Sequence, residues 1–181
     1  MTGDSDPSID PETPTLVVSA SVRDAIVERA RDGRPREICG VLGGEFGDER
    51  SRVRSQYPAA NVAETPRTRY RIDPERQLSI FDRLEERGEE IVGFYHSHPT
   101  GPPRPSATDA AKATWPDRSY LIASLEPFEL GSWRWRSGGG GGARSNDEDE
   151  ASISDGDDAG ASCVAGNGDE GTFERERLVL E

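Results

Sequence analysis

Residues 90–99 read Glu90-Ile91-Val92-Gly93-Phe94-Tyr95-His96-Ser97-His98-Pro99. A mostly apolar run closed by proline is the pattern of a buried strand. His96 and His98 are the chain's two histidines. Strand side chains alternate with period two, so both imidazoles share one face. Their Cα atoms lie about 6.5 Å apart, within reach of one ion about 2.0–2.1 Å from each ring nitrogen. Further on comes Asp109, in Ser106-Ala107-Thr108-Asp109, and upstream Glu37 opens a second apolar run, Glu37-Ile38-Cys39-Gly40-Val41-Leu42-Gly43-Gly44. Two histidines and one carboxylate leave a tetrahedral Zn²⁺ one open position for water, the arrangement of a catalytic zinc. These residues point to a hydrolytic metal site.

Taken singly, each element has an ordinary explanation. A His-X-His on a strand can face solvent, and Glu37 is one of 35 acidic residues. Ser106 ahead of an alanine-rich stretch reads as a helix N-cap, with Asp109 in the first turn. That cap and a metal site are compatible: a Ser106-capped helix over Ala107–Ala113 would carry Asp109 towards the histidines. The joint spacing carries the metal reading.

Together these residues resemble the JAMM (MPN-plus, Mov34/MPN/PAD-1) metalloprotease family. Its signature is a distant Glu, then His-X-His, a spacer opened by proline, and Ser-X-X-Asp. Here these are Glu37, His96-Ser97-His98, Pro99 through Pro105, and Ser106 with Asp109. Pro35-Arg36-Glu37-Ile38-Cys39-Gly40 resembles the family's strand around the Glu. Asn61 with Tyr70-Arg71-Ile72-Asp73-Pro74 resembles its middle segment. The similarity spans about Thr15 to Trp135, plus a last strand near Phe173–Leu180.

The resemblance implies an α/β (α+β) fold: a single MPN-type domain with a curved mixed β-sheet flanked by helices, of cytidine-deaminase-like architecture. It also implies one Zn²⁺ held by His96, His98 and Asp109, with Glu37 as general base and acid and Ser106 as donor to the oxyanion. Ser97, on the opposite face, is expected to be structural. The implied activity is that of a desampylase-type isopeptidase, cleaving after the C-terminal Gly-Gly of ubiquitin-like modifiers and their lysine-linked conjugates. The glycine tail would add to a sheet edge by β-augmentation, with Thr100–Pro105 as one wall and Ser51–Arg71 as the other. The alternatives are a peptidase trimming a sulfur-carrier protein and a non-catalytic MPN scaffold, although scaffolds characteristically lose motif residues.

Formal net charge is −13 and pI about 4.7, which disfavours nucleic acid or an anionic membrane as the main partner. Lys112 is the one lysine, the other 21 basic residues being arginine. Acidity, scarce lysine and a mean hydropathy of −0.77 resemble proteins of salt-loving archaea, whose charge repulsion molar salt screens. No secretory signal or membrane-spanning run is read, so a cytoplasmic protein is expected. Cys39 and Cys163 form no disulfide framework; Cys39, on the side of Glu37, is expected as a small core residue.

The organisation expected along the chain is a disordered lead (1–14), the catalytic domain (15–136), a disordered acidic, glycine-rich insertion (137–171) and a final strand (172–181). Within the domain, strands are expected at Leu16–Ser19, Ile38–Leu42 (closed by Gly43-Gly44), Ser51–Tyr57, Arg67–Ile72, Glu90–His96, Tyr120–Ser124 and Glu129–Arg136. One helix is expected from a Ser21 cap, with Asp24 at the capping-box position, to Gly33. Another starts at Asp73-Pro74, with Leu78, Phe81 and Leu84 buried.

Overall fold

Alternating strands and amphipathic helices build one eight-stranded mixed sheet. The computed structural model describes residues 12–137 and 171–181. The expected N-terminal lead falls mainly, and the acidic insertion almost wholly, outside them, as does Cys163. Elements run β1 (Thr15–Val18), α1 (Ala20–Asp32), β2 (Cys39–Glu45), β3 (Arg50–Ala59), α2 (Pro74–Glu86), β4 (Glu90–His98), α3 (Ala107–Lys112), β5 (Ser119–Leu125), β6 (Phe128–Arg136), β7 (Thr172–Arg175) and β8 (Arg177–Leu180). Strand order is β7-β6-β5-β4-β2-β3-β1-β8. The β1–β3, β1–β8 and β4–β5 pairs are parallel; the rest are antiparallel.

The sheet buries both faces. On one, Val22 and Ile26 of α1 pack with Leu16, Val18, Leu42, Val53, Tyr95 and Leu121. On the other, Ile80 and Leu84 of α2 pack with Cys39, Val41, Tyr57, Phe94 and Tyr120, with Ala110 and Trp115 at the margin. Period two along β4 therefore sends Phe94, His96 and His98 to the α2 side, and Tyr95 and Ser97 to the α1 side. Among the described residues no helix is long and apolar enough to cross a membrane.

Five local expectations are corrected. Ser19, not Ser21, caps α1, accepting from Val22 N–H at 3.4 Å. Glu181 brackets this junction: its N–H donates to Val18 O, and its carbonyl accepts from Ala20 N–H. Gly43-Gly44 does not close β2; the strand continues through it with shifts in register.

Arg67–Ile72 is not a strand. The Asn61 side chain bonds the main chain of Arg69 and Arg71, occupying groups a neighbouring strand would need, and one bridge, Asn61 to Ile72, remains. Leu78 is 63% exposed: it lies about 200° around the helix from buried Ile80. Phe81 sits on the flank against Trp115.

The last strand is split in two at Glu176. Glu176 is 2% exposed, and its carboxylate accepts from Ser119 Oγ (3.0 Å), Ser132 Oγ (2.6 Å) and Arg134 Nε (2.8 Å). A buried carboxylate needs such partners, and here they set the point where the chain leaves β6 and crosses to β1.

Acidity is uneven along the sequence. The described residues contain 21 of the 22 basic and 23 of the 35 acidic residues, so they carry −2 of the net −13. Most of the excess negative charge belongs to residues 1–11 and 138–170.

Candidate metal centre

β4 ends beside α3, and this junction assembles the site. His96 and His98 are buried, with their Nε2 atoms 3.1 Å apart. Asp109, in the first turn of α3, places Oδ1 3.5 Å from His96 Nε2 and Oδ2 3.6 Å from His98 Nε2. Donor atoms of these three residues all lie within 4.8 Å of one another. Two ligand atoms about 2.05 Å from a shared tetrahedral centre stand about 3.3 Å apart, so the observed separations bracket what one small cation requires.

The electrostatics agree with that fit. His98 Nδ1 lies 2.8 Å from Pro102 O; the Nδ1–H tautomer donates there and leaves the Nε2 lone pair facing His96. Burial pushes His96 towards the neutral form. It does the same to His98, but hydrogen bonds to Asp109 and Pro102 outweigh it and raise the pKa. Asp109 is also desolvated, yet bonds from both histidines and Ser106 hold its carboxyl well below the usual range. The proton His98 holds towards Asp109 is the one a cation would displace, and its loss leaves two imidazole nitrogens and a carboxylate converging as a borderline-soft donor set suited to zinc.

Ser106 caps α3 through a full capping box with Asp109. The Ser106 hydroxyl and main-chain N–H both donate to Asp109 Oδ2, at 2.6 and 2.7 Å. Ser97 does face away: its Oγ accepts from Ile38 N–H at 3.0 Å and ties β4 to the approach to β2.

Glu37 precedes β2. Cys39 pairs with His96 across the sheet, so Glu37 extends the same line towards His98. It is 6% exposed. Desolvation raises its carboxyl to about 7, against the pull of His98. Cys39 is fully buried, its thiol pushed up to about 12 mainly by burial, as suits a core residue.

The loop after His98 is held from both ends. Gly101, at φ 122°, adopts a conformation that favours glycine, and its carbonyl accepts from Ser124 Oγ at 2.6 Å. Pro103 O accepts from Trp133 Nε1 at 2.9 Å and lies so near Gly131 that a Cβ there would stand 2.0 Å from it. The loop thus lies against β6 and delivers the Pro102 carbonyl to His98.

Three groups at the site fall within the segments expected to wall the substrate tunnel, but the sequence singles out none of them as acting on the metal residues. They are the Pro102 carbonyl, Tyr70 stacked on His96 with ring centroids 4.4 Å apart, and Asn61, whose side chain bonds the Glu37 carbonyl at 2.9 Å. Tyr70 and Asn61 stand in the segment 61–74, whose signal in the sequence is its resemblance to the family's middle segment.

Known proteins share both the sequence and the fold. The chain is 47% identical over 113 residues to the desampylase of Haloferax volcanii, covering 60% of this chain and 80% of that protein. It is 38% identical over 109 residues to the CysO-cysteine peptidase of Mycobacterium tuberculosis, covering 60% and 73%. The solution structure of protein DSY2949 from Desulfitobacterium hafniense shares the fold, with a TM-score of 0.66 at 24% identity over 92% of each chain. Residues 19–136, well over half the sequence, match the family described as prokaryotic homologs of the JAB domain, and the chain belongs to that family.

Proposed function

We propose that this protein is a zinc-dependent peptidase of the JAMM type. It cleaves isopeptide and peptide bonds after the C-terminal Gly-Gly of ubiquitin-like modifiers. The observation that carries this is the convergence of His96, His98 and Asp109 beside a buried glutamate whose carboxyl titrates near 7. Similarity to the Haloferax desampylase supplies the substrate class.

His96 Nε2, His98 Nε2 and Asp109 would hold the Zn²⁺, which when bound supplies acidification of a water and polarisation of the scissile carbonyl. Glu37 takes one proton from the attacking water as its oxygen bonds to the carbonyl carbon. Burial raises the proton affinity of Glu37 and a bound cation would lower it again, which suits a group that must accept and then release a proton. Ser106 donates to the oxyanion as it forms. The C–N bond then breaks and Glu37 hands its proton to the leaving nitrogen, giving a glycine carboxylic acid and an amine, which at neutral pH become carboxylate and ammonium by transfer of the acid's proton. Burial of His96, His98 and Glu37 keeps bulk water from competing with these transfers.

The modifier's tail is proposed to lie as an added strand along an edge near the site, between the loop Thr100–Pro105 and the segment reaching Arg71. Glycines at its end would pass where side chains cannot. A sulfur-carrier substrate is the second reading, favoured by similarity to the CysO-cysteine peptidase. The two separate in one experiment, with purified protein in molar NaCl given a lysine-linked modifier conjugate or a carrier–cysteine adduct. Release of intact modifier, blocked by a chelator and restored by zinc, supports the first reading. Turnover of the adduct alone supports the second, and turnover of neither, with no zinc bound, leaves a scaffold.

A further inference from the structure

His96 and His98 are held in different ways. His98 uses its far ring nitrogen to bond the Pro102 carbonyl, which is how ligating histidines are ordinarily oriented. Nδ1 of His96 is buried with no hydrogen-bond partner among the described residues. Against this ring lies Tyr70 instead, with centroids 4.4 Å apart and planes 23° from parallel. Tyr70 belongs to no helix or strand, so the stack is only as firm as the loop that carries it.

Asn61 supplies that firmness. Its Nδ2 donates to Glu37 O and Arg69 O, both at 2.9 Å. Its Oδ1 accepts from Ala63 N–H at 3.0 Å and Arg71 N–H at 3.1 Å. These are all four bonds a side-chain amide can make, and those to Arg69 and Arg71 bracket Tyr70. Glu37 N–H in turn donates to Pro66 O at 2.7 Å. One loop therefore grips the main chain of Glu37 on both sides and lays an aromatic ring on His96.

We propose that Asn61 and Tyr70 are positioning residues. Asn61 folds residues 61–72 into a clasp that fixes Glu37 by its main chain and orients the His96 ring through the Tyr70 stack, substituting for the hydrogen bond His96 lacks. The consequence for metal affinity rests on the function proposed above; the stack itself does not.

The chain has two histidines, so NMR of the full, metal-free protein separates their imidazole signals, assigned with His98→Gln. Ring current from Tyr70 moves the His96 ring protons upfield. Tyr70→Leu is expected to abolish that shift and Tyr70→Phe to retain it. In competition with a chromophoric chelator, Tyr70→Leu is expected to weaken zinc binding about 10- to 100-fold, with Tyr70→Phe within about twofold of wild type. The Co²⁺ visible spectrum should change only in the leucine variant. Asn61→Asp keeps the size but cannot donate to Glu37 O and Arg69 O. It should lose the upfield shift and zinc affinity, and lower kcat more than it raises KM.

Wild-type His96 shifts in Tyr70→Leu overturn the clasp whether or not metal binds. Wild-type zinc affinity and Co²⁺ spectrum in that variant overturn its effect on the metal, while failure of wild-type protein to bind either ion overturns the function proposed above. A lowered Tm in Asn61→Asp, with His96 signals, zinc affinity and kcat unchanged, reduces Asn61 to loop stability and overturns its part.

Discussion

Ser106 and Asp109 grip each other at the start of α3. The serine hydroxyl donates to Asp109 Oδ2 at 2.6 Å, while the Asp109 main-chain N–H donates back to Ser106 Oγ at 3.2 Å. A hydroxyl has one proton to give. Its proposed donation to an oxyanion therefore requires a change of acceptor, from the carboxylate to the substrate oxygen, as negative charge develops.

Ser106→Ala tests that exchange. Loss of the cap should cost about 0.5–2 kcal/mol of stability. Loss of oxyanion donation should lower kcat about 10²–10³-fold, with zinc retained and KM little changed. Tm, zinc content and kcat measured on one preparation distinguish the effects: near-normal kcat with a lowered Tm leaves Ser106 as a cap alone.

Glu37→Gln removes a proton acceptor but no ligand. It should keep about one equivalent of zinc and lose nearly all turnover. Alanine at His96, His98 or Asp109 should instead lose zinc on dialysis together with activity. Metal analysis of the four variants checks both outcomes, and a turning-over Glu37→Gln would falsify the assigned base.

Burial of Glu37 has a pH signature. Its carboxyl titrates near 7 in the folded, metal-free protein rather than near its ordinary value of 4.5. The folded state therefore binds more protons than the unfolded state across that interval. The stabilising contribution is complete below about 4.5 and is lost as pH rises through about 7. In chelator, wild-type Tm should fall relative to Glu37→Gln over that window, since glutamine stays neutral throughout. Zinc nearby favours the carboxylate, so the acid limb of kcat/KM should lie below the metal-free titration point. Parallel pH profiles of wild type and Glu37→Gln would sink this account.

The Arg134–Glu176 pair should matter for stability. Both side chains are fully buried, and Arg134 also donates to Gly47 O and Asp48 O. Removing one partner strands the other charge away from water, at a cost of about 3–5 kcal/mol. Urea denaturation of Glu176→Gln should show it. Zinc affinity of the folded fraction should stay at the wild-type value, because the pair makes no contact with His96, His98 or Asp109.

The candidate metal site was legible because its residues obey local rules. Period two fixes His96 and His98 on one face, and a capping box fixes Asp109 relative to Ser106. Glu37 became legible only with the whole spacing, since its approach depends on the pairing of β2 with β4. The corrected elements depend on distant partners. Arg67–Ile72 has the look of a strand until Asn61 takes its main-chain groups. Ser19 displaces Ser21 as cap because Glu181 fixes where β1 ends. Thr172–Leu180 alternates like one strand, and nothing nearby reveals that Glu176 faces Arg134, 42 residues earlier. Leu78 was a matter of helical phase: hydrophobicity suggested burial, while the angle to Ile80 placed it outside.

Splitting of the last strand at Glu176 has a consequence for biosynthesis. β8 pairs with β1, so Thr15–Val18, synthesised well before Arg177–Leu180, must await them before one edge is covered. β7 covers the other edge, on β6, at nearly the same moment. Until then β1 and β6 expose open hydrogen-bonding edges, a hazard for aggregation. Pairing of such sequence-distant strands is intrinsically slow. A nascent chain stalled before residue 172 should therefore remain sensitive to protease and bind chaperones, and should mature within a single step once residues 172–181 emerge.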